Sequence, residues 1–189
     1  MSTTTATAAA KSHKDKKTLL VMDLIGTILF TDDATRMAAQ KVVGREMLRK
    51  DVRNLPKVTK GQIYDLVATE FAIYVQPNEA TIRVMRDNTA KMQIIILTAD
   101  LDIPEVRKGL TRILKKYLVP YDQLIMRKPE RRNTPDEKWK VAQIKALIKK
   151  YSQISIYEDK IDNIAYFMSR LGPNVNYFYV TNEGIKEIN

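Results

Sequence analysis

A chain of 189 residues, 44% hydrophobic and 29% charged, has the size and balance of one globular domain with a sizeable core and is too short for two full catalytic domains. It has no cysteine and a single histidine, His13, which excludes disulfides and thiolate metal sites and in practice a histidine-based triad or zinc centre. Acid, base or nucleophile chemistry therefore falls to carboxylates, hydroxyls, lysines or tyrosines, while the formal charge of +10 suits a phosphate-rich partner such as nucleic acid as well as it suits a lysine-rich solvated surface.

Residues 1–17 (MSTTTATAAAKSHKDKK) are rich in Ser, Thr and Ala and then in Lys, with too few large apolar side chains to pack, and are expected to form a flexible basic tail. The tail has no arginine, which argues against a mitochondrial presequence. No apolar run approaches the roughly 18 residues that span a bilayer, and the start lacks the apolar core of a secretory signal. A soluble, cytoplasmic protein with no membrane partner is expected.

The domain proper is predicted over 18–189. Residues 18–22 (TLLVM) are a continuous apolar run closed by Asp23, Gly26 and Thr27, the pattern of a doubly buried strand that ends in a turn. The stretch 32–75 is longer than a crossover needs and is predicted as a small helical insertion, with helices over 34–49 and 60–71 broken near Asn54, Leu55 and Pro56. Two further apolar strands are predicted, one at 93–97 (QIIIL), ending in Thr98, Ala99 and Asp100, and one at 153–157 (QISIY), ending in Glu158 and Asp159. Shorter strands are predicted at 123–126 and 177–180. Between them, Val106, Leu110, Ile113 and Leu114 share a helical face, as do Val141, Ile144, Leu147 and Ile148, and then Ile161, Ile164, Met168 and Leu171. Strands alternating with helices imply βαβ units, and so a three-layer α/β/α sandwich around a mainly parallel, Rossmann-like sheet.

In such a sheet, ligands bind beyond the carboxyl ends of the strands, so residues just after different strands converge. Asp23, Thr98 and Asp159 all hold that position. Each alone reads better as a loop polar residue or helix cap; the three together point to one pocket.

These motifs, in this order, resemble the haloacid dehalogenase superfamily. Its first motif, a strand followed by Asp-x-Asp-Gly-Thr, corresponds to Asp23-Leu24-Ile25-Gly26-Thr27, its second to IIILT with Thr98, its third to Lys140 at the start of a helix, and its fourth to ISIYEDKID with Glu158, Asp159 and Asp162. The resemblance implies that Asp23 is a carboxylate nucleophile and also a ligand of Mg²⁺, a hard cation that takes oxygen donors. Asp159 would be a second ligand, Glu158 or Asp162 a third directly or through water, and the main-chain carbonyl of Ile25 the backbone ligand. It further implies that Gly26, Thr27, Thr98 and Ala99 surround the phosphoryl group while Lys140 offsets the anionic charge. Lys138 and Lys145 lie close to Lys140, and Glu158 also reads as a helix N-terminal acid.

The sequence departs from the family at Ile25, where phosphatases carry the aspartate that protonates the leaving oxygen. Isoleucine can do neither acid nor base chemistry, and that chemistry is typically worth about 10²- to 10⁴-fold. Asp100 or Asp102 is the expected substitute. The stretch YDQLIMRKPERRNTPDEKWKVAQIKAL resembles the phosphatase half of polynucleotide kinases and RNA-repair-like members, which have minimal caps. Arg127, Arg131 and Arg132, with Lys128 beside them, could contact substrate phosphates and read equally well as a solvated basic loop. Tyr121 and Trp139 could stack on a base but suit packing better. The resulting expectation is a Mg²⁺-dependent phosphate-ester hydrolase acting on a nucleotide or nucleic-acid end. The alternatives are a branch chemistry needing no aspartate at residue 25, and a catalytically impaired phosphate- or nucleic-acid-binding protein.

Overall fold

The computed structural model describes residues 18–188; the tail expected over 1–17 lies outside the described residues. In chain order the elements are β1 (Thr18–Met22), β2 (Leu29–Phe30), α1 (Asp32–Val43), α2 (Arg49–Val52), α3 (Lys57–Thr69), β3 (Gln76–Pro77), α4 (Glu79–Asn88), β4 (Gln93–Leu101), α5 (Pro104–Lys116), β5 (Gln123–Arg127), α6 (Asp136–Ile148), β6 (Gln153–Glu158), α7 (Ile161–Met168), β7 (Val175–Thr181) and β8 (Gly184–Ile188). Single 3₁₀ turns occur at Ala72–Tyr74 and Pro129–Arg131.

Six strands form one sheet in the order β5-β4-β1-β6-β7-β8. All neighbours pair in parallel except β8, which runs antiparallel along β7. A strand alternates its side chains between the two faces of a sheet, and this explains why β1 is apolar from Leu19 to Met22. Leu20 and Met22 enter one core with α1, α3, α4 and α5, while Leu19 and Val21 enter the other with α6 and α7. Trp139 lies 5% exposed in the second core, and Tyr121 packs against the first. Burying a Leu or Ile side chain fully contributes roughly 2 kcal/mol, so the two layers account for most of what holds the sheet in place.

The helix expected over 34–49 stops at Val43 because Gly44 takes a left-handed conformation (φ 76°) and donates its N–H to the Gln40 carbonyl. From there to α2 the chain has no regular structure. The second insertion helix begins earlier than expected, at Lys57 directly after Pro56, since proline is tolerated at a helix start and barred from its interior. α4 and β8 were not expected. α4 is announced by Asn78, whose side chain accepts the Thr81 N–H as an N-cap, and by its buried stripe of Thr81, Ile82 and Met85. β4 runs on to Leu101, so Thr98, Ala99 and Asp100 lie inside the strand, at an irregularity in its pairing with β5 between Thr98 and Leu101.

The insertion shares the first core: Ala34, Ala38 and Ala39 of α1 and Ile63, Val67 and Ala68 of α3 pack with Leu20 and Met22. Where α3 meets α5, the backbones touch. A Cβ on Gly109 would lie 2.0 Å from the Ala68 carbonyl oxygen, so only glycine allows this approach. Gly109→Ala is expected to force the two helices apart at about 2 kcal/mol and to lower the melting temperature by roughly 6 °C, measured by thermal unfolding.

Candidate active site

β1 lies between β4 and β6, and the chain steps outward from it on both sides. The crevice at such a switch point is where an open α/β sheet binds its ligands. Asp23 follows β1 and extends its pairing by one more bond, from its N–H to the Tyr157 carbonyl (3.0 Å). Beyond it the chain turns sharply, with Gly26 N–H on the Leu29 carbonyl (2.7 Å) and the Ile28 and Leu29 N–H groups both on the Leu24 carbonyl (2.9 Å each). Gly26 has φ 93°, and a Cβ there would sit 2.2 Å from Asp159 Oδ2. Both the conformation and the space therefore demand glycine.

Lys140 projects from α6 into this crevice, 3% exposed. Its Nζ lies 2.6 Å from Asp23 Oδ1 and 2.7 Å from Glu158 Oε2. Burial opposes its charge, but Asp23 and Glu158 outweigh that and hold its pKa above the usual lysine value. Glu158 is 1% exposed; burial and the Asp23 charge push its pKa up to about 7 against the opposing pull of Lys140. Asp159 behaves in the opposite way. Burial would raise its pKa, yet Arg49, Lys160, Lys140 and Arg53 together hold it below the ordinary carboxylate range.

Thr98 is 2% exposed on β4, two residues beyond Ile96, the partner of Met22. Its hydroxyl donates to Asp100 Oδ2 (2.6 Å) and accepts the Asp100 N–H (3.3 Å). Burial, with smaller contributions from Asp23 and Asp136, raises the Asp100 pKa despite the Thr98 hydrogen bond. Asp102 is held differently: Arg107 donates to both its oxygens (2.6 and 2.9 Å) and keeps its pKa low. The two candidate substitutes for the missing acid thus differ in direction: Asp100 is shifted up by burial and Asp102 down by Arg107.

Asp23, Glu158 and Asp159 each offer a carboxylate oxygen within 4.8 Å of the others, and Asp159 Oδ1 is buried with no hydrogen-bond partner. Three oxygen donors with one left unsatisfied fit a hard divalent cation such as Mg²⁺. The Ile25 carbonyl, expected as the backbone ligand, is instead engaged by Arg49, whose Nη2 donates to it at 2.6 Å while Nη1 reaches Asp159 Oδ2 at 2.9 Å. Arg53 also approaches Asp159 Oδ2, at 3.5 Å. Arg49 was not anticipated. Its one sequence signal is the Arg49/Arg53 spacing, which places two cations on one helical face.

The remaining expected residues are spread around this centre. Asp162 is exposed in the first turn of α7 and outside the carboxylate trio. Thr27 is fully buried with its hydroxyl unpartnered, and Ala99 is half-buried just past Thr98. Arg127 binds Asp136 (2.9 Å) and the Thr134 carbonyl (2.8 Å), and Asp136 in turn meets Lys160 (3.4 Å). Arg131 and Arg132 are exposed on the loop this chain of charges anchors.

No protein-family model and no curated protein matches the chain. Solved structures do. A chain of the Pnkp1/Rnl/Hen1 complex superposes with a TM-score of 0.59 at 18% identity, over 94% of this chain and 50% of that one. A haloacid dehalogenase-like family hydrolase from Streptococcus pneumoniae gives 0.58 at 11% identity, over 88% and 85%. A HAD-superfamily hydrolase of subfamily IA, variant 1, from Geobacter sulfurreducens PCA gives 0.55 at 8% identity, over 89% of each. The protein has the haloacid dehalogenase-like fold, and chains of the Pnkp1/Rnl/Hen1 RNA repair complex are among the structures that share it. It spans about half the length of the RNA-repair chain it matches.

Lys140→Met would leave two buried carboxylates without their cation. It is expected to destabilise the fold by about 3 kcal/mol, and adding Glu158→Gln should recover part of that loss by removing one of the stranded charges, both read by chemical denaturation.

Proposed function

We propose that the protein is a phosphohydrolase of the haloacid dehalogenase type that attacks a phosphate ester through Asp23. The observation that carries this reading is the buried Lys140 ammonium held between Asp23 and Glu158 at the sheet's switch point. An ammonium there holds the Asp23 carboxylate in one orientation, ready to attack phosphorus, and offsets the charge that accumulates when a phosphate dianion enters.

In this reading an Asp23 oxygen forms a bond to phosphorus as the bond to the leaving oxygen breaks. Asp100, with its raised pKa, supplies the proton that the leaving oxygen takes up, and then accepts one from the water that releases phosphate from Asp23. Thr98 orients Asp100 through the two hydrogen bonds its hydroxyl makes with that residue. Asp23, Asp159 and Glu158 would hold Mg²⁺, whose chemistry is to neutralise charge on the transferring phosphoryl group. Replacing the acid/base aspartate by Ile25 leaves proton transfer to a group on another strand.

A nucleic-acid end is the substrate class we favour. The RNA-repair complex chains are among the structural neighbours, and the basic loop with Arg131 and Arg132 is tied through Arg127, Asp136 and Lys160 to the residue next to Asp159. Lys57 of the insertion reaches Asn133 of the same loop (2.8 Å), so the insertion and the basic loop are in contact. The second reading, a phosphate-binding protein without turnover, is favoured by Ile25 and by Arg49 on the Ile25 carbonyl.

Phosphate release from an aryl phosphate and from 3′-phosphorylated oligonucleotides, with Mg²⁺, is expected to disappear in Asp23→Asn and to fall about 10²-fold or more in Asp100→Asn. Ile25→Asp is expected to raise it. Absence of release in the wild type together with gain in Ile25→Asp would establish the binding reading. If the loop binds oligonucleotide, the Arg131→Ala/Arg132→Ala variant should flatten the slope of log affinity against log salt by about 1 per arginine.

A further inference from the structure

Arg49 stands where the donor atoms of the metal site face outward. Its Nη2 takes the Ile25 carbonyl at 2.6 Å and its Nη1 takes Asp159 Oδ2 at 2.9 Å, and the side chain is only 15% exposed. The guanidinium lies over Gly26 so closely that a Cβ there would be 2.3 Å from Nη1. A planar fork that pairs with a carboxylate and a carbonyl at once is what arginine supplies and lysine does not. A dication using those same two oxygens would have to occupy the guanidinium's place, and the two like charges repel at that range.

We propose that Arg49 is an internal cation that competes with the divalent metal for the Ile25 carbonyl and Asp159, so that the site loads only as Arg49 withdraws. The inference rests on the hydrolase reading for the identity of the metal ligands. It goes further in assigning the insertion a direct hand in metal affinity, through a residue carried by the four-residue helix α2. Asp159 Oδ1 lies buried and unpartnered beside the engaged Oδ2, so withdrawal of the guanidinium would leave both oxygens of this carboxylate without a close partner. Arg53 provides the internal control. It carries the same charge and approaches the same Asp159 oxygen at 3.5 Å, with a side chain 42% exposed.

The test is calorimetric titration of Mn²⁺ into the full chain as wild type, Arg49→Gln and Arg53→Gln, with far-UV circular dichroism as the check on folding. Arg49→Gln is expected to bind Mn²⁺ at least about 10-fold more tightly than the wild type and Arg53→Gln no more than about 3-fold, because only the first frees two ligand atoms. Adding ethylguanidinium to Arg49→Gln should weaken Mn²⁺ binding again. Should Arg49→Gln fail to fold, Arg49→Lys carries the same comparison, since an ammonium cannot span both oxygens and should also bind more tightly than the wild type. Equal affinities for wild type and Arg49 variants, or equal gains at residues 49 and 53, overturn the competition while leaving the hydrolase reading intact. No Mn²⁺ uptake by any form overturns the competition and the metal-assisted part of that reading together.

Discussion

A single ammonium group, that of Lys140, sits at the point where three separate parts of the chain must agree. Asp23 comes from the end of β1, Glu158 from the end of β6, and the lysine itself from α6. Taking any of these charges out of water alone costs several kcal/mol, so each is tolerable only because the others are present. The pairing thus fixes the register of α6 against the sheet and, with it, the direction in which the Asp23 carboxylate points. Around that pair the rest of the pocket is arranged by charge. Asp159 is surrounded by cations and held ionised, and Asp100 is pushed toward the protonated state by burial and by other carboxylates. Environments that push neighbouring carboxyl groups in opposite directions are how one site can hold a base and an acid at the same pH.

The architecture was legible in the sequence to the extent that burial was. The runs TLLVM, QIIIL and QISIY are apolar at nearly every position because those strands are covered on both faces, and each proved to be a central strand of the parallel sheet. β8 escaped notice because an antiparallel edge strand is half exposed and alternates weakly. α4 escaped because its buried stripe includes Thr81, a residue that hydropathy does not count. The helix boundary at Gly44 could have been placed from the glycine alone, as a left-handed C-cap.

The candidate site was legible where its residues follow apolar runs. Asp23, Thr98, Glu158 and Asp159 fall next to apolar runs that announce them, and Lys140 falls in the first turns of a helix whose period is clear. The insertion offered no such frame. Arg49 lies among Arg45, Lys50 and Arg53, and the four-residue spacing that groups it with Arg53, which also approaches Asp159, groups it equally with Arg45. Which cation enters is decided by how α2 is seated, through Val52, a fully buried residue, and such tertiary placement leaves no periodic trace.

The shared core of insertion and sheet bears on how such a chain can change over generations. An accessory segment that packs only on itself is a module: it can be lengthened, traded or lost without disturbing its host. Here Ala34, Ala38, Ile63 and Val67 fill the same interior as Leu20 and Met22, so deletion would strip the sheet of part of its cover. The segment that carries Arg49 is bound to its host by the demands of packing. Whatever it does at the pocket mouth is therefore inherited together with the fold, and selection can retune it one side chain at a time but cannot discard it whole.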